Sequence, residues 1–205
     1  MSIRTSRLVA AALATVCSLA ATQALADDSG WLIRGRVLNM NVKNGQADGL
    51  ERNVGARVEA NNKTFPEVDF TYFFDKNFAI ETILTYPQKH DISAGGTKIG
   101  TLKHLPPTVT AQYHFDLGGI KPYVGAGVNY TRFMSVDLPP GLSVKKSSTG
   151  LAAQIGADFA IDKKWSVNVD LKYVQIDTDI KAAGTKVGTL KIDPTLFSVG
   201  VGYRF

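Results

Sequence analysis

The sequence has almost no cysteine and little histidine. Its one cysteine, Cys17, excludes a disulfide scaffold, and with only three histidines no Cys/His metal site or other cofactor is expected. Proline is sparse beside glycine, 8 residues against 19, a balance suited to packed strands and tight turns. No apolar run approaches the roughly 20 residues of a transmembrane helix, and mean hydropathy is near zero at −0.02. A helical membrane bundle is therefore excluded. A membrane barrel is not, because its strands alternate apolar and polar residues and average out. With 44% hydrophobic and 20% charged residues, the composition is not that of a disordered chain.

The first 26 residues read as a secretory signal peptide. Arg4 and Arg7 give a positive start, Leu8–Ala21 is apolar but short, and Ala24-Leu25-Ala26 is an A-x-A site followed by Asp27-Asp28. Cleavage is expected after Ala26. Val16 is too bulky to precede an acylated Cys17, so a lipoprotein is disfavoured. Losing Arg4 and Arg7 lowers the formal charge from +5 to +3. Neither that balance nor export suits a nucleic-acid partner.

From Trp31 on, the dominant period is two rather than 3.6, which indicates strands. Eight alternating runs are expected: Trp31–Val42, Thr64–Phe74, Phe78–Tyr86, His104–Phe115, Pro122–Met134, Gly150–Ile161, Trp165–Ile176 and Leu190–Phe205. Links alternate between short (75–77, 116–121, 162–164) and long (41–63, 87–103, 135–149, 177–189). This pattern predicts an all-β, eight-stranded antiparallel up-and-down barrel over residues 27–205, crossing an outer membrane with short turns in the periplasm. A lipocalin-like barrel or a β-sandwich would also alternate. Aromatic residues at the strand ends favour the membrane. Trp31, Phe74, Phe78, Phe115, Phe159, Trp165 and Phe205 suit one girdle, and Phe65, Tyr86, Tyr130 and Tyr173 the other. The ending Tyr203-Arg204-Phe205 reads as a signal for the barrel-assembly machinery, so Tyr203 and Phe205 are expected to matter for insertion.

Two segments repeat 88 residues apart: DISAGGTKIGTLK from Asp91 and DIKAAGTKVGTLK from Asp179. Each precedes a proline-bearing run, His104-Leu105-Pro106-Pro107-Thr108 and Ile192-Asp193-Pro194-Thr195. Matched hairpins on opposite walls follow. With Phe70-Thr71-Tyr72, the HLPPT run, Ala111-Gln112-Tyr113, the PYVGAGVNYT run from Pro122, Gln154–Asp158, Ile176–Thr178, Asp193-Pro194 and Gly202–Phe205, the chain resembles the OmpW family of eight-stranded outer-membrane proteins. The first and third long loops do not share the likeness. The resemblance implies a Gram-negative outer-membrane protein passing small, mostly hydrophobic molecules.

If the girdle residues face lipid, the opposite parity lines the lumen. Its lower half then carries Arg34, Arg36, Asp69, Glu81, Asp158, Asp170 and, somewhat higher, Lys172, a compensated polar plug in a barrel narrow enough for side chains to fill. Its upper half carries Leu38, Met40, Ile83, Phe133, Val174, Ile176 and Leu196, read as an apolar pocket open to the exterior. Pro87, Pro106 and Pro107 cannot donate to a ladder, so they mark a lateral exit into the membrane. Two rivals remain. A structural or adhesive barrel could present Lys98, Lys103, Lys145, Lys146, Lys181, Lys186 and Lys191 to lipopolysaccharide. An enzyme could use His114 with Asp158 or Glu81, but no G-x-S-x-G motif accompanies them, and no catalysis is expected.

Overall fold

The computed structural model describes residues 30–205. The signal peptide and its cleavage after Ala26 lie outside the described residues. Fifteen strands and one short helix are present among those described: β1 Trp31–Asn41, β2 Gly45–Ala47, α1 Leu50–Val54, β3 Val58–Ala60, β4 Lys63–Phe73, β5 Phe78–Leu84, β6 Gln88–Ala94, β7 Thr97–Leu105, β8 Thr108–His114, β9 Ile120–Asp137, β10 Leu142–Val144, β11 Ser147–Ala160, β12 Trp165–Val174, β13 Asp177–Ala182, β14 Thr185–Lys191 and β15 Thr195–Arg204.

Eight of these close a ring in the order β1-β4-β5-β8-β9-β11-β12-β15, with β15 returning to β1. Every pairing round the ring is antiparallel. Strand β1 shows why the sequence folds this way. Arg34, Arg36, Leu38 and Met40 are buried, while Gly35, Val37 and Asn39 between them are exposed. A strand with one lipid face and one lumen face must alternate like this. The short turns are fixed by aspartates. Asp75 Oδ1 accepts the N–H groups of Asn77 and Phe78, both at 2.7 Å, and Asp162 Oδ1 accepts those of Lys164 and Trp165 at 2.7 and 2.8 Å.

The girdle at the short-turn end has Trp31, Phe74, Phe78, Phe115, Phe159 and Trp165 exposed to the outside of the barrel. Tyr86, Tyr130 and Tyr173 are exposed toward the opposite end. Phe65 is not with them. It is buried and belongs to the upper core, because at its height the lumen is itself apolar and an aromatic ring is as well solvated inside as outside.

Two expected strands are broken by proline. The run His104–Phe115 divides at Pro106-Pro107: His104 and Leu105 end β7 and pair with Phe133 and Arg132 of β9, and β8 starts at Thr108. The run Leu190–Phe205 divides at Pro194 between β14 and β15. The repeated segments form hairpins β6–β7 and β13–β14, each shifted in register at the same place, Ile92/Ser93 and Ile180/Lys181. Their ion pairs correspond too, Asp91 with Lys98 at 2.8 Å and Asp179 with Lys186 at 2.9 Å. The long links thus build an outer extension above the membrane band.

Candidate functional site: the lumen and its seam

Arginine side chains from β1 organise the lower lumen. The Arg34 guanidinium donates from Nε and Nη2 to the two oxygens of Asp158, at 3.0 and 2.6 Å. Its Nη1 lies 2.8 Å from Thr71 Oγ1, 3.1 Å from Glu81 and 3.2 Å from Asp69. Arg36 Nη2 lies 2.7 Å from Asp69 and 2.8 Å from Glu81, and its Nη1 lies 3.2 Å from Asp170. Lys172 bridges upward, 3.4 Å from Glu67 and 3.7 Å from Asp170. A planar fork with five donors serves several carboxylates at once, which a point-like ammonium could not.

All seven residues placed here from the sequence fall in this one network. Sequence reading left out Glu67 and Gln154. Both lie at lumen parity, and Gln154 Nε2 reaches Thr110 at 3.1 Å and Glu81 at 3.3 Å. Parity alone includes both: Glu67 is two residues before Asp69 and Gln154 four before Asp158 on the same faces. His114 is packed between the rings of Phe73 and Tyr123, and its Nε2 meets Gln112 Oε1 at 2.9 Å. Its close partner is thus Gln112, in place of the Asp158 or Glu81 relay considered from the sequence.

Above the network the character changes. Leu38, Met40, Phe133, Val174 and Ile176 are buried in one apolar core, with Leu196 packed against it half-buried, and Ile83 is buried just below. This upper lumen is not the open pocket expected from the sequence. Leu50, Leu102, Ile180, Leu190 and Ile192 from the outer extension fill it from above. What remains is a cavity of about 30 Å³ among Leu38, Phe65, Ile83, His104, Pro106, Val174 and Pro194, room for little more than a water molecule.

The first long link covers this core as a lid. Strand β2 pairs with β14 and β3 with β6, so residues 45–60 reach both hairpins. Leu50 of α1 is fully buried, lying so close to Gly188 that any side chain there would strike the Leu50 backbone. At the edge, Lys186 Nζ sits 2.8 Å from Asp48 and 2.9 Å from Asp179, and both carboxylates are held below the usual range by that contact. Nothing in the alternation of residues 42–62 announced these short strands.

The two walls where hairpins insert are equivalent by the repeat, yet they are joined differently. On one, between Tyr173↔Thr195 and Asp177↔Lys191, four hydrogen bonds close the seam: Val174 N to Pro194 O, Ile192 N and Asp193 N to Ile176 O, and Ile176 N to Asp193 Oδ1, at 2.8–3.2 Å. On the other, the β5–β8 ladder stops at Ile83↔Thr108 and the β6–β7 ladder starts at Gln88↔His104. Among the described residues, no backbone hydrogen bond crosses between these two pairs. Pro87, Pro106 and Pro107 all lie in that interval.

His104 sits at this open seam, above the outer tyrosines. Its ring stacks on His90 with centroids 4.7 Å apart and planes 11° apart. Burial pushes His104 down to about 3, and the neighbouring His90 adds to the shift. Burial lowers His90 as well, against the Asn61 carbonyl that partly holds it up. The folded hairpin therefore resists protonation of His104, with His90 shifted in the same direction, while the unfolded segment takes up protons near pH 6.5. Stability is complete above about pH 6.5 and declines as pH falls from there toward about 3. Amide exchange of residues 88–105 in nanodiscs should accelerate between pH 7.5 and 4.5, and His104→Ile should blunt the change. Equal rates at the two pH values, after correction for intrinsic exchange, would contradict this.

A closed eight-stranded barrel with a lipid-facing apolar band, two aromatic belts and a filled polar interior is an outer-membrane protein. The chain belongs to the OmpW family, whose family model matches residues 28–205. It is 39% identical over 188 residues to the uncharacterized outer-membrane protein y4mB of Sinorhizobium fredii, covering 86% of this chain and 80% of that one. It is 35% identical over 216 residues to outer membrane protein W of Escherichia coli strain K12, covering 97% and 99%. Among solved structures it superposes on the outer membrane protein OprG from Pseudomonas aeruginosa with a TM-score of 0.73 at 28% identity, over 85% of this chain and 95% of that one. The chain is thus a protein of the Gram-negative outer membrane, from a family of barrels rather than enzymes.

Proposed function

We propose that this barrel passes small, mostly hydrophobic molecules from the cell exterior into its apolar upper lumen and releases them sideways into the membrane at Pro106-Pro107. The observation that carries the reading is the inequality of the two seams: one is stitched by four hydrogen bonds, and the other, lined by Pro87, Pro106 and Pro107, by none. A solute beneath the lid gains about 25 cal/mol for each Å² of apolar surface taken from water. Going straight down would disrupt the Arg34–Asp158 and Arg36–Glu81 pairs, at several kcal/mol for each charge left unpaired. Lateral release avoids that cost and delivers the solute at the level of the outer tyrosines, to the upper edge of the bilayer. Because the cavity is water-sized, uptake requires the lid to lift. In this reading the leader is removed after Ala26, and Tyr203 and Phe205 present the closing strand to the barrel-assembly machinery.

Uptake across the outer membrane tests it. Leu38→Asp or Ile83→Asp should reduce apolar uptake to background by placing a charge in the core. Pro106→Val with Pro107→Val should restore pairing and slow release severalfold. Arg36→Ala should leave apolar uptake largely intact in whatever fraction folds. Wild-type rates in the pocket variants, together with raised flux in Arg36→Ala, would place the route through the barrel axis instead. A second reading has one supporting observation. Among the described residues, Lys103, Lys145, Lys146, Lys181 and Lys191 at the outer rim make no ion pair, unlike Lys98 and Lys186. They are free for lipopolysaccharide phosphates, and a barrel that only binds them would show no solute uptake.

A further inference from the structure

The repeat provides an internal control for which residues the fold itself requires. Position 104 in one hairpin corresponds to position 192 in the other, and position 90 to 178. The second hairpin uses Ile192, buried in the apolar core, and Thr178, whose hydroxyl donates to the Lys145 carbonyl at 3.0 Å. Apolar packing thus suffices at the root of such a hairpin. The first hairpin instead has His104 and His90, at the seam that is not stitched.

His104 is 1% exposed, and it lines the small cavity with Pro106, Ile83 and Phe65. Its Nε2 has no hydrogen-bond partner among the described residues, although it is buried. His90 Nε2 is likewise buried without a partner among the described residues, but His90 does not line the cavity. The other polar side chains there are paired, Lys172 with Glu67 at 3.4 Å. Asn129 Nδ2 donates to Thr108 Oγ1 at 2.8 Å and to the Pro107 carbonyl at 3.1 Å, and Thr131 donates to Asn129 Oδ1 at 2.7 Å. A buried imidazole nitrogen left without a partner is costly, so its presence where isoleucine would serve calls for a ligand. A neutral imidazole nitrogen can donate or accept according to tautomer.

We infer that His104 is a specificity-determining residue, and that the preferred solute is a small apolar molecule ending in one hydroxyl or carbonyl rather than a bare hydrocarbon. The inference rests on the lateral-passage reading and names its substrate class. The polar end takes the water-sized space against His104 Nε2, and the apolar body lies along Phe65, Ile83 and Pro106 toward the bilayer. The stack on His90 holds the ring in place. Selectivity of this kind follows because an analogue without the polar group leaves the nitrogen unpaired.

The chain has three histidines, so imidazole nitrogens labelled with ¹⁵N can be resolved individually in nanodiscs. Adding 1-octanol should move the Nε2 resonance of His104 and leave that of His114, inside the lower network, unchanged. Octane at equal membrane concentration should move neither. In cells, the uptake ratio of 1-octanol to octane should fall by roughly threefold to tenfold in His104→Ile, the change expected for one hydrogen bond, while octane uptake persists. His104→Gln, which keeps a hydrogen-bonding side chain, should retain the preference. If His104→Ile fails to give a heat-modifiable folded band, the glutamine variant and the resonance shift decide. An identical response to both compounds, no response to either, or an unchanged ratio in His104→Ile overturns the inference. Failure of the wild type to take up either compound removes the passage reading itself, and this inference with it.

Discussion

Replacing Arg34 with methionine is expected to destabilise the barrel by roughly 3–5 kcal/mol, the cost of removing one partner from a buried ion pair. The side chain is fully buried and touches four partners on three other strands, Thr71 and Asp69 on β4, Glu81 on β5 and Asp158 on β11. Methionine fills similar space but supplies no charge, leaving carboxylates facing one another across the lumen. The buried charges are already unequal. Three cations (Arg34, Arg36, Lys172) face five carboxylates (Glu67, Asp69, Glu81, Asp158, Asp170) among the described buried residues. Asp158→Asn should therefore cost clearly less than Arg34→Met, since it reduces the excess of negative charge and the amide can still accept from the guanidinium. Urea unfolding in lipid vesicles would measure both. A larger loss from Asp158→Asn would show that the bidentate geometry, rather than charge balance, dominates.

The second large effect concerns the lid. A side chain built at Gly45 would put its Cβ 3.2 Å from Lys191 Cβ, close to the roughly 3.8 Å typical of a disulfide. Gly45→Cys with Lys191→Cys should therefore cross-link the lid to hairpin β13–β14 after a small adjustment. The only natural cysteine, Cys17, lies in the expected leader, so nothing competes. Oxidised protein should show apolar uptake near background, and reduction should restore it. Wild-type uptake by the fully oxidised form, judged by its altered gel mobility, would mean that solutes reach the seam without lifting residues 45–60.

Much of the lumen was legible because lipid and lumen impose opposite demands on alternate residues. Arg34, Asp69, Asp158 and Asp170 reveal their facing by being charged in a membrane strand. Parity gives the members of the network but not its pairing. That Arg34 meets Asp158 across the barrel depends on closure, which no local pattern encodes. Phe65 shows where the rule loses force: where lumen and lipid are both apolar, hydrophobicity no longer separates the faces. The lid escaped notice because its strands have three residues each, too few for a period to register. The unequal seams depend on Asp193, whose carboxylate accepts the Ile176 N–H, where the first hairpin has Leu105. The sequence shows that difference, but only the three-dimensional register gives it meaning.

The lower network also bears on the order in which the barrel is made. Both of its arginines lie on β1, while its carboxylates come from β4, β5, β11 and β12. The strand emerging first from the export machinery therefore carries cations whose full complement arrives only with the second half of the chain. Until β15 docks on β1, an unfinished curl of strands within hydrocarbon would hold guanidinium groups with part of their counter-charge missing, a state the bilayer penalises. Half-built barrels are disfavoured on electrostatic grounds alone. The network's charges are therefore fully matched to their partners only in the complete cylinder.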